Sequence, residues 1–300
     1  MKVKHKDYPS FFKTTDRYSL EGQQTYLKWI KVELIILVIA GVISLFPFDN
    51  EDYGQILAVL SVIAFAAGIG ITFHIKNSKF EDDWYIGRAL AESIKSLTWK
   101  YMTKGEPFIE DLSIEDADKK FIVVLKDMLD ENRTFLKVTY QEDDGINITA
   151  KMRELRQSSF QDRKNAYIND RVKDQQNWYR SKSTFNKAKA SQLFWFIISL
   201  QAGALIYSLY LIVNPSFFNA VPLATTLAAV FLSWLQVKQH QELSQSYAVA
   251  ANDINLILSQ EPYIDSEEKL EIFIADSENA FSREHTLWIA RRDVLTYKTQ

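Results

Sequence analysis

The sequence predicts an all-α membrane protein, with four transmembrane helices arranged as two hairpins and long cytoplasmic helical extensions. Four apolar runs carry the prediction: Trp29–Phe48, Ile56–Ile75, Leu193–Val213 and Phe217–Val237. Each holds about 20 residues, enough at 1.5 Å rise per residue to cover the ~30 Å hydrocarbon core of a bilayer. The basic residues add orientation. Lys28 and Lys31 flank the first run, Lys76 and Lys79 follow the second, Lys187 and Lys189 precede the third, and Lys238 follows the fourth. The two hairpin turns, Asp49 to Gly54 and Asn214 to Ser216, contain no Lys or Arg. By the positive-inside rule, both termini and the central region are cytoplasmic. No segment alternates as a strand would.

Composition narrows the class further. Thirty-five Lys and Arg against 38 Asp and Glu give a net charge of −3, with the basic residues crowded at the membrane edge. That distribution fits juxtamembrane anchoring and gives no nucleic-acid footprint. The absence of cysteine excludes disulfides, thiol catalysis and cysteine-ligated metals. A cleavable signal peptide is not expected, because the first apolar run starts near residue 29, lacks a small-residue cleavage site and leads directly into a second span.

Residues 1–28 read as a basic, aromatic N-terminal arm, partly helical and interfacial. Residues 29–104 form the first hairpin with its cytoplasmic helix. Pro47 ends the first span, and the second runs on without interruption through Trp84, Leu90, Ile94, Leu97 and Tyr101 to Gly105-Glu106-Pro107. Residues 105–145 are a linker with one amphipathic helix near Asp118–Asn132, burying Phe121, Val124, Leu125, Met128 and Leu129. Residues 146–300 hold the second hairpin. From Ala150 to Ala190 neither Pro nor Gly occurs, which predicts one helix about 60 Å long. Its polar stretch Ser158–Lys173 is a natural place for a partner to bind. Glu261-Pro262 breaks the helix after the fourth span. Asp265 and Glu268 form a capping box, and Leu270, Phe273, Ile274, Ser277, Phe281, Glu284 and Trp288 recur at helical spacing. Trp84, Trp99, Trp178 and Trp288 are expected in the extramembrane core.

The two halves also match weakly. Asp16-Arg17 and Gln23-Gln24-Thr25-Tyr26 before the first hairpin parallel Asp170-Arg171 and Gln175-Gln176-Asn177-Trp178 before the second. After each hairpin a Lys (Lys76, Lys238) precedes an aromatic residue (Tyr85, Tyr247) and an Ala-rich helix. The layout is a parallel tandem, unlike the inverted repeats of many transporters.

The segment Arg171-Val-Lys-Asp-Gln-Gln-Asn-Trp-Tyr179, the following Lys-rich helix, two spans and Tyr247-Ala-Val-Ala-Ala251 resemble the SLATT family of two-span membrane effector domains. Ser277 to Trp288 is similar to the closing signature of that family. Trp84 to Tyr101 resembles the segment after the first hairpin in tandem versions. The resemblance implies a bacterial inner-membrane protein of nucleotide-signalled, anti-phage conflict systems, acting as a pore-forming effector switched on by a partner. No fused nucleotide-sensing domain is recognisable in the sequence.

Polar residues inside the spans are the candidate functional positions. Gln201, Ala204 and Ser208 share a face of the third span, and Asn219, Thr226 and Ser233 are candidates in the fourth. Ser61, Ala64, Gly68 and Thr72 line the second span, and Ala40 and Ser44 the first. A water-filled pore uses such faces to avoid placing polar groups against lipid, and close helix packing uses them equally. Glu33 is the acid within an apolar run, a candidate gating or ion-binding carboxylate or an interfacial ion pair with Lys28 or Lys31. Pro222 is the candidate mid-span break. His240 with Glu242, and Glu284-His285, lack a third ligand at metal-site spacing, and Ser282 lacks a nucleophile elbow. No enzyme and no cofactor is expected. The expected partners are the lipid bilayer, further copies of the chain, and a cytoplasmic activating protein or nucleotide signal, with no nucleic acid. Two functions fit: an oligomeric channel or pore, or a non-conducting membrane scaffold or receptor.

Overall fold

Helix is the regular structure throughout the described residues, which are 2–46, 53–109, 112–132, 145–214 and 218–297 of a computed structural model, with side chains described as far as Ser282. Helix α1 spans Ser10–Ile43, α2 Gly54–Ser78, α3 Phe80–Thr103 and α4 Ile114–Glu131. Then come α5 (Ala150–Gln157), α6 (Phe160–Ala166) and α7 (Lys173–Val213), followed by α8 (Val221–Lys238), α9 (His240–Leu258) and α10 (Glu267–Tyr297). A π-helical turn, Tyr167–Val172, joins α6 to α7, so that Phe160–Val213 is one continuous rod of 54 residues.

Local sequence explains most of the boundaries. Ser113 Oγ accepts from the Asp116 amide at 3.1 Å and starts α4. Thr149 Oγ1 accepts from Met152 N–H at 3.3 Å before α5. Ser159 Oγ accepts from Asp162 N–H at 3.2 Å and starts α6, so the helix expected to run unbroken from Ala150 divides at Ser158-Ser159. The reason is a serine cap, which satisfies amide groups that the helix would otherwise leave open. At α10 the cap is Ser266, whose Oγ accepts from Lys269 N–H at 3.3 Å, while Asp265 pairs with the Lys269 ammonium at 2.8 Å.

The second apolar helix also breaks where no Gly or Pro stands. Lys79, between α2 and α3, has φ 49°, and Gln239, between α8 and α9, has φ 47°. Left-handed backbone costs a non-glycine residue roughly 1–2 kcal/mol. Both joints occur just after the apolar stretch, at matching places in the two halves. Glu261–Tyr263 forms a short 3-10 turn at the predicted break.

Two compact units divide the chain, each assembled from non-contiguous segments. Unit 1 comprises Met1–Gln23, Glu81–Ser183 and Gln245–Gln300, and unit 2 comprises Gln24–Phe80 and Thr184–Ser244. The core of unit 1 is aromatic and aliphatic: Trp99, Tyr101, Phe108, Phe121, Tyr167 and Phe273 are all essentially inaccessible. Phe121, Leu125 and Leu129 are the buried stripe of α4, as its periodicity predicts, with Val124 and Met128 half-buried beside it. Leu270, Phe273, Ile274, Ser277 and Phe281 of α10 are buried in the same way. Gly105 ends α3 beside α10, where a Cβ would stand 2.9 Å from Ile274 Cγ2.

The start of the N-terminal arm packs into unit 1. Tyr8 and Phe12 enter the core of unit 1, and the Tyr8 hydroxyl accepts from Trp99 Nε1 at 2.8 Å. Thr149 Oγ1 donates to the Asp7 carbonyl, and Ser10 N–H to the Ile146 carbonyl, fastening the arm to the segment before α5.

Unit 2 holds the apolar helices. Three helices in the described residues are long and apolar enough to cross a membrane, within Gly54–Thr103, Phe160–Val213 and Val221–Tyr263. The first apolar run behaves differently, because α1 ends at Ile43 and its apolar stretch begins with Lys28, Lys31 and Glu33 nearby. Helix α1 still packs in this unit: a Cβ at Gly41 would lie 3.0 Å from Thr226 Cγ2 of α8. The rings of Phe196 (α7) and Phe231 (α8) meet edge-on at 4.7 Å, and Tyr207 donates to the Phe218 carbonyl.

Replacing Lys79 or Gln239 by Gly should raise the unfolding midpoint of the detergent-solubilised protein, by about 1 kcal/mol of stability per site. Val at either position should lower it, because a β-branched residue disfavours left-handed backbone most. Thermal melts followed by far-UV circular dichroism read both changes.

Candidate functional site

Buried charge gathers in unit 1 on α1, α3, the π-helical turn and α10. Arg171 sits in the π turn and is 98% buried at its side chain, as is Glu278 of α10. Its Nε donates to Glu278 Oε1 at 3.0 Å and its Nη2 to Glu278 Oε2 at 2.6 Å, a two-pronged bond between planar groups. Tyr167 donates to the same carboxylate at 2.9 Å. On its other side Arg171 Nη1 lies 3.9 Å from Glu92 Oε2 and makes no hydrogen bond. Arg88 then bonds Glu92 at 2.9 Å and approaches Asp16 at 3.7 Å. Phe281 closes the cluster, with its ring centroid 4.7 Å from the Arg171 guanidinium.

The electrostatics follow from this arrangement. Burial opposes the charge on Arg171, but Glu278 outweighs it and holds its pKa above the ordinary value. Burial pushes the Tyr167 hydroxyl well up, and Glu278 adds to the effect. Burial likewise raises Tyr8, with Arg171 pulling the other way. Lys95, half-buried beside the cluster, is pushed down because burial outweighs the attraction of Glu92. A bidentate ion pair buried this fully is costly to break, since either partner alone would be a stranded charge.

Ser158–Lys173 has two faces: Arg163, Ala166, Tyr167, Ile168, Arg171 and Val172 are buried, while Ser159, Gln161, Asp162, Asn165 and Asn169 are exposed. Arg163 pairs with Glu267 and Lys164 Nζ donates to the Ile264 carbonyl at 2.7 Å. The stretch looks polar in sequence in part because its buried residues include two arginines and a tyrosine, which pair with Glu267 and Glu278.

In unit 2 the polar residues divide into two groups. Ser208 Oγ donates to the Ala204 carbonyl at 2.7 Å, and Thr226 Oγ1 to the Pro222 carbonyl at 2.9 Å. Ser61, Ala64, Ala204, Ser208, Thr226 and Ser233 are half-buried, on the sides of α2, α7 and α8 that other helices partly cover. Asn219 Oδ1 accepts from Val221 N–H at 3.0 Å, and Pro222 lies in the first turn of α8. Proline there removes no helical hydrogen bond, so it is no mid-span break.

Glu33 and Gln201 are different. Glu33 Oε1 accepts from Thr72 Oγ1 of α2 at 2.8 Å, and no ion pair joins it to Lys28 or Lys31 among the described residues. Gln201 is exposed midway along the apolar part of α7, and its amide makes no hydrogen bond among the described residues. Gly68 and Gly203 have open space where a Cβ would stand, so nothing within the chain requires their smallness. The acidic turn, His285 and Trp288 lie outside the described residues and side chains.

At the far end of the hairpin, His240 Nδ1 and Asn186 Oδ1 are 2.7 Å apart, with Phe185 edge-on to the ring. Burial holds the His240 pKa below its ordinary value, and Lys238 and Lys189 add repulsion.

Apolar helices in one unit, three of them long and apolar enough to cross a membrane among the described residues, and an all-helical second unit with a buried ionic cluster define the class as a helical membrane protein. Comparison with protein families gives the same result. Residues 9–164 match the model described as SMODS and SLOG-associating 2TM effector domain 3, and residues 167–288 match effector domain 1 of that series. The chain belongs to the SLATT family and carries two of its domains in tandem. No curated protein and no solved structure matches it. The boundary between the matches falls within α6 and the π turn, so the tandem repeat passes directly through the ionic cluster.

Glu278→Gln should cost about 3–5 kcal/mol in denaturant unfolding, by leaving the Arg171 charge buried without its counter-ion. The double change Arg171→Met with Glu278→Leu should recover most of that loss. A second expectation concerns pH. Below about pH 6.5 the unfolded His240 ring takes up a proton and the folded one does so only at lower pH, so acidification withdraws stability. The melting midpoint should therefore fall from about pH 7 to about pH 5.5, and His240→Gln should flatten the fall.

Proposed function

We propose that the protein is an oligomeric pore-forming effector of the bacterial inner membrane, switched on from the cytoplasm in an anti-phage or nucleotide-signalled conflict system. In this reading the chain crosses the bilayer four times with both termini inside. The apolar part of α1 is the fourth and shortest crossing, and its Glu33 accepts a hydrogen bond from Thr72 of α2. No catalytic centre and no cofactor are involved.

Gln201 carries the proposal. A primary amide midway along an apolar helix, exposed and unpaired, would face lipid tails in a lone chain at a cost of several kcal/mol. Further copies of the chain relieve that cost by surrounding the amide with water or with matching amides. The open space beside Gly68 and Gly203 supports the same arrangement, because small residues let helices of neighbouring copies approach. The family description, effector domains that associate with SMODS and SLOG proteins, supports a partner-borne signal.

A scaffold that binds partners without conducting is the second reading. What favours it is the half-burial of Ala204, Ser208, Thr226 and Ser233, which occupies those residues in packing within one chain.

Induction in bacteria, with membrane potential followed by a voltage-sensitive dye, separates the two. Depolarisation that Gln201→Leu reduces at least tenfold in rate, at equal protein level in the membrane, is the expected result. Unchanged potential, with phage infection or cyclic nucleotides supplied, would replace the pore by the scaffold.

A further inference from the structure

We propose that the lysine-bearing end of unit 2 is a binding site for the headgroups of anionic phospholipids, with Trp234 at its centre. The inference uses the membrane placement of this unit and is independent of whether it conducts.

Four helices meet at this end. The rings of Trp29 (α1) and His74 (α2) lie 4.6 Å apart, and Lys31 Nζ stands 5.3 Å from the Trp234 ring centroid on α8. The His240–Asn186 hydrogen bond brings the start of the apolar part of α7 to the same place. The same ends of these helices carry Lys28, Lys31, Lys76, Lys187 and Lys189, with Lys79 at the joint after α2.

None of the six is paired with a carboxylate among the described residues. Lys31 rests over the Trp234 ring, and Lys189 bonds the Gln192 amide at 3.2 Å and lies over Phe185. These partners are neutral and leave most of each ammonium's three donors open. Like charges at one end of the unit repel one another, and an external anion relieves that repulsion.

Depth identifies that anion. Trp29 and Trp234 are set among the lysines, and indole rings settle at the level of lipid headgroups. Lysine stems run along apolar helix surface while the ammonium reaches polar surroundings. The ammonium groups therefore lie where phosphodiesters lie. The opposite ends of the four helices have no Lys or Arg, so one leaflet alone is recognised. A second copy of the chain is a poor occupant, since it would present the same positive face.

The test uses the full chain reconstituted in vesicles of phosphatidylcholine with increasing phosphatidylglycerol, reading tryptophan quenching by brominated forms of each lipid. Brominated phosphatidylglycerol should quench several-fold more efficiently than brominated phosphatidylcholine at equal fraction, and added salt should shrink the difference. Changing Lys28, Lys31, Lys76 and Lys79 together to Gln should reduce the preference on the order of tenfold, and changing them to Arg should retain it. Equal quenching by the two lipids in the unaltered protein would overturn the proposal, whatever the variants do. So would loss of the preference on adding millimolar glycerol phosphate, which would mark a site for a soluble phosphate compound instead.

Discussion

The buried ion pair between Arg171 and Glu278 holds unit 1 together. It joins a π-helical turn in the longest helix to the C-terminal helix, and through Glu92 and Arg88 it reaches α3 and α1. A π turn widens the helix by a residue and is tolerated where something outside secures it. Here the outside grip comes from the two-pronged guanidinium–carboxylate bond, the Tyr167 hydroxyl on the same carboxylate, and the Phe281 ring over the cation. The surrounding aromatic core depends on that grip. Tyr167 lies edge-on to both Trp99 and Phe273, and Trp99 in turn holds Tyr8. The charged pair thus lies at the centre of the contacts that α3, the π turn and α10 make with one another.

Unit 2 obeys the opposite rule. Lipid supplies no hydrogen bonds, so the polar groups of its helices turn inward to their own backbone or to one another. Ser44, Ser208, Thr225 and Thr226 each donate to a carbonyl three or four residues earlier, and Thr72 also donates to the one acid in the apolar run. Gln201 makes no such bond, and it lies exposed midway along the apolar part of α7. The contrast between neighbours that are satisfied and one that is not gives that amide its meaning.

Much of the fold was legible because it is local. Apolar runs mark the helices of unit 2, the spacing of Phe121, Leu125 and Leu129 marks α4, and that of Leu270, Phe273, Ile274 and Phe281 marks α10. What escaped was of two kinds. Breaks at Lys79 and Ser158-Ser159 use a left-handed lysine and a serine cap, neither of which interrupts a run of helix formers visibly. The ionic cluster joins residues 107 positions apart, and no local pattern announces such a pair. The packing of Tyr8 on Trp99 of α3 went unread for the same reason, since the two lie 91 positions apart. Of the candidate site, the sequence singled out Glu33 and Gln201, and the Thr72 partner was visible only as one member of a small-residue stripe.

The two left-handed joints have a mechanical consequence. At Lys79 and Gln239 the ladder of helical hydrogen bonds is already interrupted by a left-handed residue. A change in that one pair of backbone dihedrals redirects the chain at less cost in helical hydrogen bonds than a bend inside α2 or α8 would carry. The same local device is built twice into the chain, each time just after an apolar helix.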